Sequence, residues 1–249
     1  MVPFPSERLS HNTGFHRISM SFDSNGNEDI TPQNVMSILE DEYGPMEWTP
    51  RYDPAKELVY TILSQHTSDI NSGRAFNRLM SKFGTLEAIA EAEVTDIEDV
   101  IRSGGLAKIK APRIKGILND VFKKVGSYDL SFLAEMPLSE AKSWLKALEG
   151  VGPKTAAIIL CFSLGLPAMP VDTHIYRVAK RLGLIGSKIT ADQAHDLLEG
   201  MVLDDDVFAF HLHLITHGRK ICKARRPKCT DCVLAWGCPS KNEFVGITT

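Results

Sequence analysis

A lysine and an aspartate follow a glycine-rich turn that could hold a phosphate. The turn spans residues 150–152, Pro153 begins a helix-like run, Lys154 is next, and Asp172 follows eighteen residues after the lysine. Glycine permits turn conformations that other residues avoid, and proline is well tolerated at the first position of a helix. N–H groups at the positive N-terminus of a helix bind phosphate. The combination suggests chemistry on the sugar of a nucleic-acid backbone.

Both side chains also have an ordinary structural interpretation. A lone lysine at a helix start is usually solvated or in contact with a phosphate. Asp172 is a favourable N-cap for the helix that begins at Thr173, although a capping carboxylate held in one orientation could also take part in chemistry. Attack on a sugar C1′ needs an uncharged amine, so a reactive Lys154 is expected to be partly desolvated beside other positive charge.

Four of the five cysteines form the pattern Cys222-x6-Cys229-x2-Cys232-x5-Cys238, and we call them the four clustered cysteines. Such thiolates bind zinc or an iron–sulfur cluster, and spacing alone does not distinguish the two, although a typical zinc ribbon has two close pairs. The odd cysteine count, without a visible secretory signal, argues against a disulfide framework. Cys161 lies in an apolar run and is predicted to be a core thiol.

These motifs resemble those of the endonuclease III family of helix-hairpin-helix DNA glycosylases. That family has L-P-G-V-G-x-K-T-A followed by V-D-T-H, and here residues 148–156 read LEGVGPKTA and residues 171–174 read VDTH. The cysteine spacing, with the preceding His-Gly-Arg at 217–219, is similar to the family's [4Fe-4S] loop. The resemblance covers roughly residues 30–240.

The resemblance implies a bifunctional DNA glycosylase and AP lyase that removes a damaged base, in this family an oxidised pyrimidine, and cleaves the strand by β-elimination. Lys154 would displace the base and form a Schiff base with the sugar, with Asp172 as the catalytic carboxylate. The four clustered cysteines would hold one [4Fe-4S] cluster. The expected partner is double-stranded DNA with damaged bases or abasic sites, bound by a monomer. The alternatives are a monofunctional mismatch glycosylase of the same superfamily and a non-catalytic iron–sulfur DNA-binding protein.

An enzyme that acts at C1′ of a stacked nucleotide must extrude it and fill the gap. The family uses a glutamine and an apolar wedge. An ungapped match puts His66 at the glutamine position, with Gln65 one residue away, and Leu106 at the wedge position. Leu106 could equally be a core leucine. The predicted DNA-binding residues are Gly150, Val151, Gly152, Gln65, His66, Leu106, His174, Arg219, Lys223, Arg225, Arg226 and Lys228. Four basic residues after the wedge could also meet phosphates or form a solvated helix face: Lys108, Lys110, Arg113 and Lys115.

Composition sets weaker limits. The formal net charge of −3 argues mildly against nucleic-acid binding, but residues 215–230 carry six basic side chains and no acidic one. Hydrophobic residues make up 43% of the chain, which supports a sizeable core, and no run of eighteen apolar residues predicts a membrane span. No signal peptide is evident. We therefore expect no membrane association and an intracellular protein, cytoplasmic and nucleoid-associated if it is bacterial.

Helical spacing of apolar residues and the lack of alternating patterns predict an all-α protein. Thr31, Asp53, Thr85, Thr95 and Thr190 are predicted helix caps, the last with Gln193 in a capping box. The resemblance implies two lobes, a six-helix barrel lobe at 47–166 with the helix-hairpin-helix, and an iron–sulfur lobe made of 30–46 and 167–249. Residues 1–29 are polar and are expected to be a disordered extension.

Overall fold

The fold is described here from a computed structural model, in which residues 30–244 are placed. Within that range the chain forms twelve α-helices and four short 3₁₀ helices, and no strand is present among these residues. The prediction of an all-α protein is confirmed. The expected N-terminal extension, residues 1–29, lies outside the described residues, as do the last five.

The α-helices are α1 Pro32–Tyr43, α2 Pro54–Ser64, α3 Asp69–Phe83, α4 Leu86–Glu91, α5 Val94–Ile101, α6 Ala107–Val125, α7 Leu138–Lys146, α8 Pro153–Leu164, α9 Thr173–Leu182, α10 Ala191–Glu199, α11 Val207–Lys220 and α12 Lys241–Phe244. The 3₁₀ helices are Arg102–Gly104, Ser131–Glu135, Asp204–Asp206 and Cys229–Asp231.

Side-chain caps begin most of these helices where the sequence predicts them. The side chains of Thr31, Asp53, Thr85 and Thr190 each accept a hydrogen bond from a backbone N–H in the first turn. Thr190 and Gln193 form the predicted capping box. The prediction for Thr95 is wrong, because α5 begins at Val94 and its N-cap, Glu93, makes no side-chain cap bond. Local capping rules therefore locate these helix starts to within one or two residues.

Two separate hydrophobic cores organise the packing. The first core is built by α2–α8 and includes the predicted apolar face of α2, whose Leu58 and Leu63 are fully buried. The second core is built by α1, α9, α10 and α11 around residues such as Val178 and Phe210. Burying one such side chain stabilises the fold by roughly 1.5–3 kcal/mol. The lobe boundaries at residues 46/47 and 166/167 stay a prediction.

Polar and aromatic contacts join the two cores beside the starts of α8 and α9. Lys142 of α7 donates to Glu199 of α10 at 2.6 Å, and the same carboxylate accepts the N–H of Met169 at 3.0 Å. Phe162 of α8 packs edge-on against Phe208 and His211 of α11. These contacts fix α8 relative to α9 and α11. None of the helices in residues 30–244 is long and apolar enough to cross a membrane.

Candidate active site

Lys154 lies in the first turn of α8, directly after the hairpin turn at residues 150–152. Gly152 is an extended N-cap that has no side chain to occupy the first N–H groups of the helix, and Pro153 opens the helix. The amine therefore lies at the positive end of the helix dipole. The Lys154 side chain is exposed. The expected desolvation of this amine is therefore not provided by the protein alone.

Asp172 is the N-cap of α9. Its Oδ1 accepts the backbone N–H groups of His174 and Ile175, each at 2.8 Å. Within residues 30–244 no donor is bonded to its Oδ2. The cap thus holds the half-buried carboxylate in one orientation through one oxygen and leaves the other oxygen for electrostatic stabilisation of a bound group.

His211 of α11 is a site residue that the sequence analysis did not select. The ring is 5% exposed, and its Nδ1 lies 2.9 Å from the carbonyl oxygen of Pro170. A carbonyl only accepts, so Nδ1 carries the proton and Nε2 presents a lone pair. Its local pattern does not predict a functional role, because a histidine in an apolar helix is usually a buried structural residue.

The charges around His211 show which groups share the site. Burial lowers the pKa of His211 to about 4, the Pro170 carbonyl and Asp172 oppose that shift, and the positive charges of Lys154 and Arg219 add to it. The imidazole is therefore neutral at pH 7. Through Pro170, the ring also supports the segment that leads into Asp172 and α9.

The sequence analysis predicts DNA contacts at all three residues of the hairpin turn, but only the two glycines are exposed. Gly150 has φ +78°, a left-handed conformation that favours glycine, and a Cβ there would lie 3.0 Å from Nη2 of Arg113. Val151 is 7% exposed, and its N–H donates to the Leu148 carbonyl at 3.2 Å. Val151 thus packs into the first core, and the two exposed glycines form the outer surface of the turn.

Basic side chains that the sequence analysis missed line a groove beside this turn. The groove is bordered by Lys123 and Lys124 in the last turn of α6, by Lys146 at the end of α7, and by residues 147–152. Each lysine is near a helix C-terminus, where local sequence rules assign it to the helix dipole. Their common position beside the hairpin depends on tertiary packing, and the groove also contains the acidic side chains of Asp120 and Glu149.

The two candidate gap-filling residues have different roles in the structure. The side-chain oxygen of Gln65 accepts from Arg113 at 3.0 Å, and Arg113 also reaches the Gly150 carbonyl at 3.5 Å. His66 is exposed and has φ +53°, in the left-handed region. The Gln65 side chain is therefore bonded to Arg113 near the surface, whereas the His66 side chain is exposed at the tip of the segment.

Leu106 lies at a second exposed tip. It is 49% exposed and has φ +55° immediately before α6, so its alternative interpretation as a core leucine is wrong. The interpretation of Lys110 as a phosphate contact is also wrong, and the Lys115 ammonium is already bonded within the protein. Lys110 is 2% exposed, and Lys115 donates to the Ala92 carbonyl at 2.7 Å.

The four clustered cysteines line one largely apolar cavity with Arg181, His217 and Phe244. Arg181 donates to Cys222 Sγ at 3.4 Å, and His217 Nε2 lies 3.5 Å from Cys232 Sγ. Burial and the neighbouring thiolates raise the pKa of Cys232 to about 11. A bound cationic group would offset that penalty. Cys161 is a separate buried thiol, as predicted.

Within residues 30–244 no three Cys, His, Asp or Glu side chains are grouped closely enough to hold one ion. The four thiols nevertheless line one cavity, and four thiolates are a donor set for zinc or for an iron–sulfur cluster.

The basic loop, residues 223–228, is the exposed outer edge of this cavity. The side chains predicted to bind DNA here are all exposed: Lys223, Arg225, Arg226 and Lys228. Arg181 of α9 holds the loop by donating to the Lys223 carbonyl at 2.7 Å and to the Ala224 carbonyl at 3.2 Å. The loop's position therefore depends on α9 as well as on the cysteines.

His174 lies in the first turn of α9, and Arg219 lies in the last turn of α11. Nδ1 of His174 is 3.2 Å from Nη2 of Arg177, and because a guanidinium only donates, Nδ1 is the acceptor and Nε2 carries the proton. Arg219 forms an ion pair with Asp69 across the two cores, at 3.0 Å. A basic border thus runs from the basic loop to the start of α9, and a second one lies at the hairpin.

Comparisons with known proteins agree with this geometry. The family model for HhH-GPD superfamily base excision DNA repair proteins matches residues 59–202. Endonuclease III of Sulfolobus acidocaldarius is 35% identical over 179 residues, which are 71% of this chain and 78% of that protein. An Arabidopsis thaliana protein provisionally named a DNA glycosylase is 39% identical over 165 residues, 66% of this chain and 56% of that longer protein.

Solved structures are similar over most of the fold. A non-covalent endonuclease III–DNA complex and a trapped endonuclease III–DNA covalent intermediate give TM-scores of 0.73 and 0.71, with 26% and 27% identity. Each alignment covers 86% of this chain and 98% of the other.

Proposed function

Since this chain belongs to the endonuclease III family, DNA glycosylases and AP lyases within the HhH-GPD superfamily of base excision DNA repair proteins, we propose that it removes oxidised pyrimidines from double-stranded DNA and cleaves the strand at the abasic site. The observation that carries the proposal is the placement of Lys154 and Asp172 at the starts of α8 and α9, where two N–H bonds fix the Asp172 carboxylate. A DNA substrate implies that the protein works, as a monomer in this proposal, in the compartment that holds the genome.

Lys154 is the proposed nucleophile. Its neutral amine attacks C1′ while the bond from C1′ to the base breaks and the base leaves with the electron pair. The nitrogen then passes one proton to the ring oxygen as the C1′–O4′ bond breaks, which gives a protonated Schiff base. Loss of a C2′ proton then expels the 3′ phosphate with the electron pair of the C3′–O bond. Because Lys154 is exposed, the bound DNA must supply the desolvation that favours the neutral amine.

Asp172 is the proposed electrostatic partner. Departure of the base builds positive charge on the sugar, and a carboxylate fixed beforehand stabilises that charge without reorganising. The two N–H bonds to Oδ1 supply the fixed orientation. The buried ring of His211 is neutral at pH 7, so it does not compete with Lys154 as a positive charge.

Two positive borders are proposed to hold the DNA backbone. The first is the hairpin turn with Gly150 and Gly152, joined by the lysines of its groove. The second is the basic loop with His174 and Arg219. These contacts read phosphates, which are the same for every sequence, so they position the duplex and do not select the lesion.

His66 and Leu106 are proposed to enter the duplex when the damaged nucleotide leaves it. Both are exposed at left-handed tips. Gln65 is assigned a supporting role, because its side chain holds Arg113. Extruding a base costs a few kcal/mol of stacking and pairing, which side chains inserted into the gap offset.

The proposed cofactor is one [4Fe-4S] cluster held by Cys222, Cys229, Cys232 and Cys238. The fit rests on the four-thiol donor set around a single apolar cavity. The cluster would supply a rigid cross-link of the chain segment that carries the basic loop. The proposed lobes are a barrel lobe at 47–166 and a cluster lobe from 30–46 and 167–249. The presence of two separate hydrophobic cores supports this division, although Ala168 packs in the first core.

The test is a set of duplexes that each carry one defined lesion, assayed with the cluster-loaded protein. The proposal expects excision and strand cleavage at an oxidised pyrimidine and at a preformed abasic site. Excision without strand cleavage at an adenine mismatch would indicate the monofunctional alternative. Binding without any excision would indicate the non-catalytic one.

A further inference from the structure

A buried lysine with no carboxylate partner connects the two exposed tips. Lys110 is 2% exposed, and its ammonium donates to the Leu63 carbonyl at 2.6 Å, to Thr67 Oγ1 at 2.7 Å and to the Gly104 carbonyl at 3.2 Å. Burial lowers the pKa of Lys110. A charge buried without a counter-ion is retained only where its hydrogen bonds are all made, and here three oxygens accept from three protons.

The acceptors belong to two segments that are distant in sequence. Leu63 is in the last turn of α2, and Thr67 follows that helix. Gly104 belongs to the 3₁₀ turn that precedes α6. The Thr67 hydroxyl also donates to the Gly104 carbonyl at 2.6 Å, so the two segments are bonded to each other as well as to the ammonium.

Close packing makes this contact specific. A Cβ at Gly104 would lie 2.9 Å from Cβ of Ala75 on α3, which is closer than real side chains approach. The turn can therefore approach α3 and Thr67 only with glycine at this position. The negative C-terminal end of α2 also favours the positive charge of Lys110.

Each segment carries one exposed residue with a left-handed backbone conformation. His66 immediately precedes Thr67 and has φ +53°, and Leu106 lies two residues after Gly104 and has φ +55°. Residues other than glycine avoid this region unless their surroundings impose it. The bonds on Thr67 and Gly104 flank the two strained positions and impose their backbone conformations.

We infer that Lys110 is a positioning residue for base extrusion, which with Thr67 and Gly104 forms a clamp that holds the His66 and Leu106 tips at a fixed separation. This inference rests on the proposed function, because it assumes that the two tips enter the duplex. Lys110 touches neither DNA nor the reacting atoms. Its effect is expected on the extrusion step and not on attack by Lys154.

The test compares two substrates that carry the same oxidised pyrimidine. In one, the lesion is paired in a duplex and must be extruded; in the other, it lies in a single-nucleotide bulge, where extrusion costs little. Lys110→Met removes the donors and keeps the chain length, and Thr67→Val removes the bridging hydroxyl. Lys115→Met is the matched control, because Lys115 also donates to a main-chain carbonyl from α6 but lies away from the tips.

We expect Lys110→Met and Thr67→Val to slow single-turnover excision at least tenfold on the paired lesion and less than threefold on the bulge. The fluorescence rise of a 2-aminopurine placed beside the lesion should fall in parallel. Lys115→Met should match the wild type on both substrates. An equal loss on both substrates, or no loss with Thr67→Val, would overturn the inference even if Lys110→Met does not fold. Absence of excision by the wild type would instead overturn the proposed function and, with it, this inference.

Discussion

Asp69 in the first turn of α3 and Arg219 near the end of α11 form an ion pair with 3.0 Å between Oδ2 and Nη1, although 150 residues separate them. Their helices belong to different hydrophobic cores, and both side chains are at least half exposed. An exposed pair of this kind contributes at most about 1 kcal/mol to stability. Its more important consequence is that the carboxylate competes with phosphates for Arg219.

Asp69→Asn should therefore tighten binding of abasic duplex a few-fold at low salt, because Arg219 loses its competing anion. Arg219→Gln should weaken binding and reduce the slope of log affinity against log salt by about one. Fluorescence anisotropy over a salt series measures both. Weaker binding by Asp69→Asn, with a wild-type unfolding free energy, would count against a DNA contact at Arg219.

Asp172→Asn should reduce single-turnover base excision strongly while leaving the fold intact, because asparagine caps helices as well as aspartate but carries no charge. Asp53→Asn is a matched control, since Asp53 caps α2 in the same way and lies away from the site. If both variants excise at the wild-type rate, Asp172 acts only as a cap.

The proposed [4Fe-4S] cluster should make the protein brown. Replacing any one of the four clustered cysteines by serine should remove that colour and weaken DNA binding, because the basic loop loses its support. Cys161→Ser should keep the colour, since Cys161 is buried elsewhere. Visible absorbance and iron and sulfide analysis measure the cluster, with about four of each expected per chain. A colourless protein with one zinc, purified without air from iron-replete cells, would contradict the assignment.

Acid should destabilise the fold through its buried histidines. Burial lowers the pKa of His211 and of His217 from 6.5 to about 4 and also lowers that of His195. Below pH 6.5, until pH reaches the folded-state pKa of a ring, the unfolded chain binds a proton there that the folded chain does not. The unfolding free energy therefore falls as pH falls, by up to about 1.4 kcal/mol per pH unit for each ring. Well above pH 6.5 none of the three rings contributes a slope.

Urea unfolding at pH 7, 6 and 5 measures this dependence. His211→Gln should reduce the slope, because it removes one of the three buried rings with a lowered pKa. His66→Gln, which replaces an exposed ring, should leave it unchanged. Identical slopes for the wild type and His211→Gln would show that His211 does not resist protonation in the folded protein.

The sequence is sufficient for features that depend on neighbouring residues. The capping position of Asp172 and the helix start at Lys154 follow from residue types within a few positions. The burial of Lys110 does not, because its acceptor Leu63 is 47 residues away. His211 was missed for the same reason, since its neighbours Lys154 and Asp172 come from other helices.

The two gap-filling candidates illustrate the same limit. Matching the family motif placed His66 and Gln65 side by side and could not choose between them. The choice depends on Arg113, whose position on α6 is fixed by packing of the first core. Leu106 likewise became an exposed wedge candidate only when its left-handed backbone and exposure were known.

The central claim is that Lys154 forms the covalent bond to the sugar, and borohydride trapping on abasic duplex tests it most directly. Wild-type protein should give a stable adduct whose cross-linked peptide contains Lys154. Lys154→Arg, which keeps the charge but has no amine nucleophile at this position, should bind the same duplex and give no adduct. Wild-type levels of trapped adduct from Lys154→Arg, or a cross-link mapped to another lysine in the wild type, would contradict the account.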